Sequence, residues 1–239
     1  MLKIVDIPQI SILRSFQEFV FGLAGAGSHA EFSSTLCSAH SKGENLAAKL
    51  QDEILASQEF RALIEDTIWK EISAEAFGCA PEDVSIILPN LRIDLPDRFR
   101  EDSTRMLLPW HQEAEYFLSE GNCSPASIVL STCLHDAAAQ NGALVVAAET
   151  ETSLLKHGSE YKDPENKRFL RLTVGEPGKF LPAETTFGQT VVFDFMRRHR
   201  SGNNTSDLVR ITFLLRASRK SDVEEYLSGN MVATKQAVM

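Results

Sequence analysis

Two histidines and one carboxylate have the types and the spacing for shared metal chemistry. His111 and Glu113 stand two residues apart in the segment LPWHQE. On a strand, side chains at i and i+2 point to the same face, so this imidazole and this carboxylate would meet at one point. His199 ends a later β-like run and supplies a second imidazole. Two His and one carboxylate leave the other positions of a metal open, which suits non-haem Fe(II) in oxygen chemistry. Two ordinary strand residues without a metal are the alternative for the HxE pattern alone.

An arginine after His199 is placed to lie beside the metal without touching it. The SGNNTS segment predicts a turn that reverses the chain, which would bring Arg210 onto the neighbouring antiparallel strand. A guanidinium there can bind a distal carboxylate through two hydrogen bonds, and Thr212 on the same face adds a hydroxyl. A keto acid could then chelate iron at one end and be held at the other. A solvent-facing strand arginine is the alternative.

The order of these motifs resembles the phytanoyl-CoA dioxygenase-like group of Fe(II)/2-oxoglutarate oxygenases. The matching features are the HxE, the GxxVxF run, the HxSGxNxS turn, the later arginine, and an ASIVL strand followed by NGAL, within roughly residues 84–216. The resemblance implies a double-stranded β-helix (jelly roll) with flanking helices, and an enzyme that uses Fe(II), 2-oxoglutarate and O2. It implies that His111, Glu113 and His199 bind iron and that Arg210 binds the distal carboxylate of 2-oxoglutarate, with Thr212 as a further contact. The glutamate departs from the family's commoner aspartate.

The resemblance and the nearby arginines together indicate a substrate class. Arg92 lies on an alternating strand between apolar neighbours, where an unpaired charge would be costly. Arg105 has the same parity as His111, and Arg197 has the same parity as His199. We predict these three arginines as anion contacts; solvated charges are the alternative. A small or saccharide-type, possibly anionic, substrate follows, with the acidic sugar Kdo of lipopolysaccharide as the example that the resemblance suggests.

Two other classes of function fit parts of the pattern. A metal-dependent, cupin-like isomerase or lyase would use the His-Glu-His cluster but would not need Arg210 and Thr212 as a clamp. A non-catalytic jelly-roll carbohydrate-binding module would tolerate the loss of His199. We expect hydroxylation of an unactivated C–H bond, with release of succinate and CO2, as the leading function.

Hydrophobic periodicity predicts the elements that must position these residues. Period-three and period-four spacing predicts helices over 9–24, 46–55 and 60–72, with a loop over 26–43. Gly78 is expected to stop the third helix. Alternation and turn signals predict strands within 84–95, 105–111, 126–134, 143–148, 167–174, 189–199 and 208–216. The expected fold is a β-dominated α+β jelly roll with N-terminal amphipathic helices flanking the barrel. We expect one domain over 1–239, divided into a mainly helical flank (1–80), a jelly-roll core (81–217), and a short helix and tail (218–239).

Composition excludes several other classes. The chain has 239 residues, of which 43% are hydrophobic and 24% charged, as in ordinary globular proteins. Its net charge of −9 repels nucleic acid, and no apolar run reaches the roughly 18 residues that a membrane helix needs. The four cysteines form no CxxC pair and no signal peptide is recognised, so we expect reduced thiols and a cytoplasmic protein. The sequence leaves the oligomeric state open.

Overall fold

Helices occupy most of the first third of the chain, and strands most of the remainder. The structure is a computed structural model that describes residues 1–99, 107–163 and 168–233. Its helices are α1 (Ile10–Leu23), α2 (His29–Ser41), α3 (Leu46–Ala56), α4 (Gln58–Glu65), α5 (Ile68–Phe77), α6 (Glu113–Phe117) and α7 (Lys220–Leu227). Within these described ranges, no helix is both long enough and apolar enough to cross a membrane.

The strands form two antiparallel sheets and one separate hairpin. In chain order they are β1 (Leu2–Asp6), β2 (Val84–Asp94), β3 (Ile128–Cys133), β4 (Leu144–Ala147), β5 (Gly158–Asp163), β6 (Arg168–Thr173), β7 (Phe180–Ala183), β8 (Gln189–Asp194), β9 (His199–Arg200) and β10 (Arg210–Arg219). The larger sheet has the order β1-β8-β3-β10-β2 and the smaller sheet β7-β4-β9, while β5 pairs with β6 alone. Every pairing between these strands is antiparallel, as in a jelly roll.

The larger sheet is buried on both faces. Toward the smaller sheet, Val129 of β3 and Phe193 of β8 pack in one cluster with Leu144 and Val146 of β4. Toward the other side, side chains of opposite parity such as Val192 join a second and larger core. Because side chains alternate along a strand, burial of both faces explains why these strands read as almost continuous apolar runs.

The helices α1 to α5 form a layer over the outer face of the larger sheet. Leu13 of α1, Phe32 of α2 and Trp69 of α5 belong to the same buried cluster as Phe213 of β10. Trp69 meets the Phe213 ring edge-on at 4.9 Å between ring centroids, and its indole N–H donates to the carbonyl of Leu63 at 2.7 Å. The helical flank therefore shares its hydrophobic core with the sheet.

The loop prediction over 26–43 is wrong, because this segment contains α2. Its Ser and Gly residues have lower helix propensity, which favoured the loop prediction although alanine is a strong helix former. However, the Ser28 hydroxyl accepts from the N–H of Glu31 and caps the first turn. Phe32 and Leu36, four residues apart, are both buried. Tertiary burial of this face supplies the stability that local propensity does not.

The helix predicted over 60–72 is divided into α4 and α5. Asp66 ends α4 with extended backbone, and its carboxylate accepts from the N–H of Ile68, which starts α5. The expected stop at Gly78 is confirmed, since Gly78 caps α5 in the left-handed conformation with φ 67°. Each of the two short helices keeps buried residues of its own, Phe60 and Leu63 in α4 and Ile68, Trp69 and Ile72 in α5.

Some strand predictions differ from the structure at their ends. The two runs predicted within 84–95 form the single strand β2. The run over 189–199 is divided into β8 and β9, which belong to different sheets, so the turn between them carries the chain across the jelly roll. The run over 105–111 extends outside the described residues, and its described end forms one isolated bridge at His111. Strands β1, β5 and β7 are additional to those predicted.

Candidate metal centre

The structure brings His111, Glu113 and His199 together inside the jelly roll. Each offers one ligand atom, and these atoms all lie within 4.8 Å of one another. All three residues are buried, and all three line a cavity between the two sheets. The cluster combines two nitrogen donors and one oxygen donor, drawn from segments that are far apart in the sequence.

Pairing across the smaller sheet positions the two histidines. His111 and His199 form an antiparallel bridge in which each backbone N–H donates to the other residue's carbonyl at 3.0 Å. Strand alternation predicts Glu113 on the same strand as His111, but Glu113 is the first residue of α6. It reaches the same point because Gln112, between the two ligands, is extended with φ −111° and ψ 134°.

The side chain of Gln112 anchors this segment from behind. Its amide N–H groups donate to the carbonyls of Ser153 at 3.1 Å and Met196 at 2.7 Å, and its oxygen accepts from the N–H of Leu155 at 2.8 Å. These hydrogen bonds tie the segment to the loop before β5 and to the turn before β9. Because the amide is buried and satisfied, it holds the neighbouring His111 and Glu113 in a fixed frame.

The imidazole rings turn their lone pairs toward the carboxylate. Nδ1 of His111 lies 2.7 Å from the Pro109 carbonyl, and Nδ1 of His199 lies 3.0 Å from the Arg197 carbonyl. A carbonyl only accepts, so Nδ1 carries the proton and Nε2 keeps its lone pair. The Nε2 atoms lie 3.7 and 3.4 Å from Oε2 of Glu113. Adjacent ligands of one metal are about 3 Å apart at metal–ligand distances of about 2.1 Å. The cluster is therefore close to the geometry that a cation would complete.

Burial and neighbouring charges set the protonation of the cluster. Burial, with a second contribution from His199, lowers the pKa of His111 to about 4. Burial alone would raise the pKa of Glu113, but the charge of the Arg216 guanidinium holds that pKa well below its usual range. At neutral pH His111 is therefore neutral and Glu113 is ionised, which are the states in which these groups bind a metal.

Arg210 and Thr212 line the same cavity from β10. Arg210 is 5% exposed, and its Nε has no hydrogen-bond partner among the residues that the structure describes. Its Nη1 lies 4.0 Å from Oδ2 of Asp94. Thr212 points to the same side, and its hydroxyl lies 3.4 Å from the sulfur of Cys133. A buried guanidinium with a free donor is suited to bind a carboxylate that enters this cavity.

The three arginines predicted as substrate contacts lie in different places. Arg92 lines the cavity, where its guanidinium donates to Asp94 at 2.8 Å. Arg105 lies outside the described residues. Arg197 is buried, but among the described residues its guanidinium faces the carbonyl of Ala147 at 2.6 Å rather than the cavity. Alternation does not place Arg197 beside His199, because Arg197 belongs to the turn before β9 and not to a strand.

Arg216 is a charged residue of the cavity that is not among the site residues predicted from the sequence. It lies on β10, is buried, and donates to Oε1 of Glu113 from Nε at 2.7 Å. The available signal was its parity, since Arg216 is separated from Arg210 and Thr212 by even numbers of residues along one strand. Asp94 was overlooked in the same way, although it shares the face of Arg92 on β2.

The fold and the site together define a class of protein. Two imidazoles and one carboxylate, with open positions for further ligands, are the ligand set typical of non-haem Fe(II) oxygenases. The profile of the phytanoyl-CoA dioxygenase (PhyH) family matches residues 32–212, and the chain belongs to this family. The resemblance predicted over roughly 84–216 is thereby confirmed. Members of the family are Fe(II)/2-oxoglutarate-dependent oxygenases, and the cofactors expected from the sequence, Fe(II), 2-oxoglutarate and O2, agree with that membership.

Solved structures confirm the predicted fold. EctD from S. alaskensis, solved with bound Fe, has a TM-score of 0.57 and 14% identity, and the match covers 92% of this chain and 73% of EctD. The non-heme monooxygenase ThoJ, in its apo form, has a TM-score of 0.54 and 17% identity over 86% of this chain and 70% of ThoJ. At this level of identity the likeness shows the double-stranded β-helix fold and nothing beyond it.

A more distant match comes from EvdO2 of Micromonospora carbonacea var. aurantiaca. It was solved in complex with 2-oxoglutarate and has a TM-score of 0.48 and 20% identity, with 71% of this chain covered. The chain spans 63% of the length of EvdO2. No curated protein sequence matches the chain significantly.

Proposed function

We propose that this protein is an Fe(II)/2-oxoglutarate-dependent dioxygenase that hydroxylates an unactivated C–H bond of a small or saccharide-type substrate. His111, Glu113 and His199 would bind Fe(II), and Arg210 with Thr212 would bind 2-oxoglutarate. One observation carries the proposal: both sets of side chains converge on a single cavity. The three metal-binding atoms lie within 4.8 Å of one another, and the buried guanidinium beside them has an unpaired Nε.

The donor set fits Fe(II). Two imidazole nitrogens and one carboxylate oxygen, with no thiolate, match the open arrangement that non-haem iron uses. Among the described residues no fourth acidic, His or Cys side chain joins the cluster, which leaves room for a co-substrate and O2. When bound, Fe(II) and 2-oxoglutarate supply the oxidation, in which O2 yields succinate, CO2 and a hydroxylated product. The part of the protein is to bind, orient and shield these groups.

Arg210 is suited to bind the distal carboxylate of 2-oxoglutarate. Its guanidinium is 5% exposed, so a bound carboxylate would be shielded from water and its ion pair strengthened. Asp94 offsets part of the positive charge, but at 4.0 Å it leaves Nε free. The hydroxyl of Thr212 can donate to the same carboxylate. Two anchors from one strand would fix the orientation of the co-substrate relative to the three metal ligands.

Apolar side chains complete the cavity wall. The cavity is lined by Val129 and Phe193 from the larger sheet and by Leu144 at the start of β4. All three side chains are buried. These residues exclude water from the side of the cluster that faces between the sheets. Exclusion of water matters because a reactive oxidant formed away from substrate would damage the protein or be wasted.

The charge of the cavity supports an anionic substrate, such as an acidic sugar. Arg92, Arg210 and Arg216 all line it, and the nearby carboxylates are those of Asp94 and Glu113. The surplus positive charge favours a negatively charged guest. The Kdo sugar of lipopolysaccharide is the specific example that we propose.

A cytoplasmic location belongs to the same proposal. All four cysteines are free thiols, as in proteins of reducing compartments. The net charge of −9 supports a small-molecule substrate over nucleic acid as the partner.

An anaerobic titration tests the function. Metal-free protein is given Fe(II) and then 2-oxoglutarate, and the weak visible charge-transfer band of a chelated keto acid is followed. We expect a band in wild type, no band in His199→Ala, and a requirement for at least tenfold more 2-oxoglutarate in Arg210→Ala, from the loss of a charge-assisted hydrogen bond of about 1.5 kcal/mol or more. Arg198→Ala is the control, since Arg198 pairs with Glu151 away from the cavity. Succinate release with acidic and neutral sugars then tests the substrate class.

Other outcomes would support the other classes of function. Tight Fe(II) binding without a band would overturn the oxygenase proposal and support a cupin-like isomerase or lyase. The absence of Fe(II) binding would support a carbohydrate-binding module. Turnover of neutral but not acidic sugars would overturn the anionic substrate while leaving the dioxygenase in place.

A further inference from the structure

We propose that Arg216 is a positioning residue that holds Glu113 as a one-oxygen metal ligand, so that the two residues function as a matched pair. The inference rests on the proposed function for the presence of the metal, and it concerns how this chain uses a glutamate in the ligand set. It is drawn from the contacts of Arg216 with Glu113, Leu88 and Phe117.

The two oxygens of Glu113 have different partners. Oε1 accepts from Nε of Arg216 at 2.7 Å and from Nη2 at 2.5 Å. Oε2 faces the two imidazoles, at 3.4 Å from Nε2 of His199 and 3.7 Å from Nε2 of His111. Since Arg216 occupies Oε1 with two hydrogen bonds, only Oε2 is free to bind a metal between the imidazoles. The pair thus selects one ligand atom before any metal arrives.

The guanidinium of Arg216 is itself fixed from two sides. Its third donor, Nη1, binds the carbonyl of Leu88 at 2.7 Å. Leu88 has φ 49° and lies at a register shift between β2 and β10, so an irregular backbone provides this acceptor. On the other side the ring of Phe117 lies 4.7 Å from Cζ of Arg216. Phe117 and Glu113 are four residues apart on α6, so both reach the same guanidinium from one helix face.

The need for such a partner follows from the length of glutamate. A glutamate side chain has one more rotatable bond than aspartate and loses more conformational freedom when it is fixed. Arg216 removes that freedom in advance and neutralises the buried charge. An aspartate at this position would be shorter by one C–C bond. It could not keep both hydrogen bonds to Arg216 and still present its second oxygen between the imidazoles, because the guanidinium is held in place.

Co(II) binding to metal-free protein tests the inference, with affinity measured against a chromophoric chelator and coordination followed by visible absorption. Arg216→Gln is expected to weaken Co(II) binding about 10- to 100-fold and to change the intensity of the absorption bands, as loss of outer partners of metal ligands does. Arg216→Lys keeps the positive charge but loses the planar guanidinium that donates twice to Oε1. We therefore expect its Co(II) affinity to lie between those of wild type and Arg216→Gln. Arg198→Gln is the matched control, and urea titration establishes that each variant is folded.

The matched pair predicts a specific non-additive result. Glu113→Asp is expected to weaken Co(II) binding, and the double variant Glu113→Asp/Arg216→Gln is expected to be no weaker than the worse single variant. If the wild type binds Co(II) and both Arg216 variants bind it with the same affinity and spectrum, Arg216 is only a stabilising core residue and the inference is wrong. If the wild type binds neither Co(II) nor Fe(II), the proposed function fails first.

Discussion

Two histidines outside the metal centre stack on one another beside β10. The rings of His29 and His135 lie 4.3 Å apart between centroids, at an angle of 14°. Nε2 of His135 accepts from the N–H of Ile211 at 2.9 Å, so this nitrogen is unprotonated in the fold. Burial, reinforced by His29, lowers the pKa of His135 to about 3. Burial also lowers the pKa of His29. Nothing in the sequence shows that these two histidines meet, since they are more than 100 residues apart.

The stack predicts a loss of stability in mild acid. Between pH 6.5 and 4.5 the unfolded chain gains a proton on His135 that the folded chain does not bind, so the free energy of unfolding falls as pH falls. The lowered pKa of His29 acts in the same direction. One such histidine contributes a slope of up to about 1.4 kcal/mol per pH unit. His135→Gln, which keeps an acceptor for Ile211, is expected to be less stable at pH 7 but to have a flatter slope. Urea unfolding of metal-free protein measures both quantities.

The comparison must be made between variants, because other groups also titrate. His111, whose pKa is lowered to about 4, contributes to the slope in wild type and variant alike. Equal slopes for wild type and His135→Gln would show that His135 does not govern the acid sensitivity.

At the level of single residues, the sequence identifies candidates by type and spacing but not by contact. His111, Glu113, His199 and Arg210 can be nominated because their residue types suit one another and their parities agree. Arg216 has the same parity as Arg210, yet only the structure shows that its guanidinium reaches the carboxylate. Contacts of this kind depend on packing between strands far apart in the sequence, which periodicity does not encode.

At the level of elements, two turns that the sequence predicts separately pack against each other. The NG turn at Gly142 and the SGNNTS turn that contains Gly202 meet through an antiparallel bridge between Asn141 and Asn204. A Cβ at Gly202 would lie 2.0 Å from the carbonyl oxygen of Ala143, far inside contact distance. Glycine is therefore required at 202 by the close approach of two backbones, which Gly/Asn turn signals alone do not reveal.

This close approach predicts the effect of a small substitution. Gly202→Ala must push the turn after His199 away from the start of β4 and is expected to destabilise the fold by about 3 kcal/mol. Gly178→Ala is the matched control, because a Cβ there has no heavy atom within 4 Å and the change should stay within about 0.5 kcal/mol. Urea midpoints compare the two variants. A Gly202→Ala protein as stable as Gly178→Ala would contradict the steric argument.

Secondary structure was predictable where pattern and packing agree. The runs that became β3, β4 and β10 are strongly apolar, so their strands could be placed within a few residues from sequence alone. The segment of α2 was missed because Ser28 and the buried Phe32 act through a cap and through tertiary burial, while its composition resembles a loop. The division of 189–199 into β8 and β9 was missed because Phe195 and Met196 continue the apolar pattern past Asp194, where β8 ends.

At the level of the whole molecule, we propose that residues 1–239 form one domain. The helical flank (1–80) and the core (81–217) share a single buried cluster, in which Phe32 and Trp69 lie with Ile93 and Phe213. The helices pack on one another and on the sheet within this one cluster, so the helical layer has no separate core to keep it folded alone. Unfolding of the helices should therefore accompany unfolding of the sheets.

The two tryptophans allow this cooperativity to be measured. Trp69 lies in the helical layer against Phe213, whereas Trp110 lies beside the smaller sheet, with its ring 5.3 Å from that of Phe180. Trp110→Phe leaves Trp69 as the only tryptophan, and Trp69→Phe leaves Trp110. In each variant the urea midpoint from tryptophan fluorescence is expected to coincide with the midpoint from far-UV circular dichroism. Trp69→Phe loses the indole hydrogen bond to Leu63 and should shift both midpoints to lower urea together.

A Trp69 signal that changes well before the circular dichroism would instead mean that the helical layer unfolds as a separate unit. The jelly roll would then have to retain the larger sheet, and with it the wall that carries Arg210, after losing the cover over its outer face.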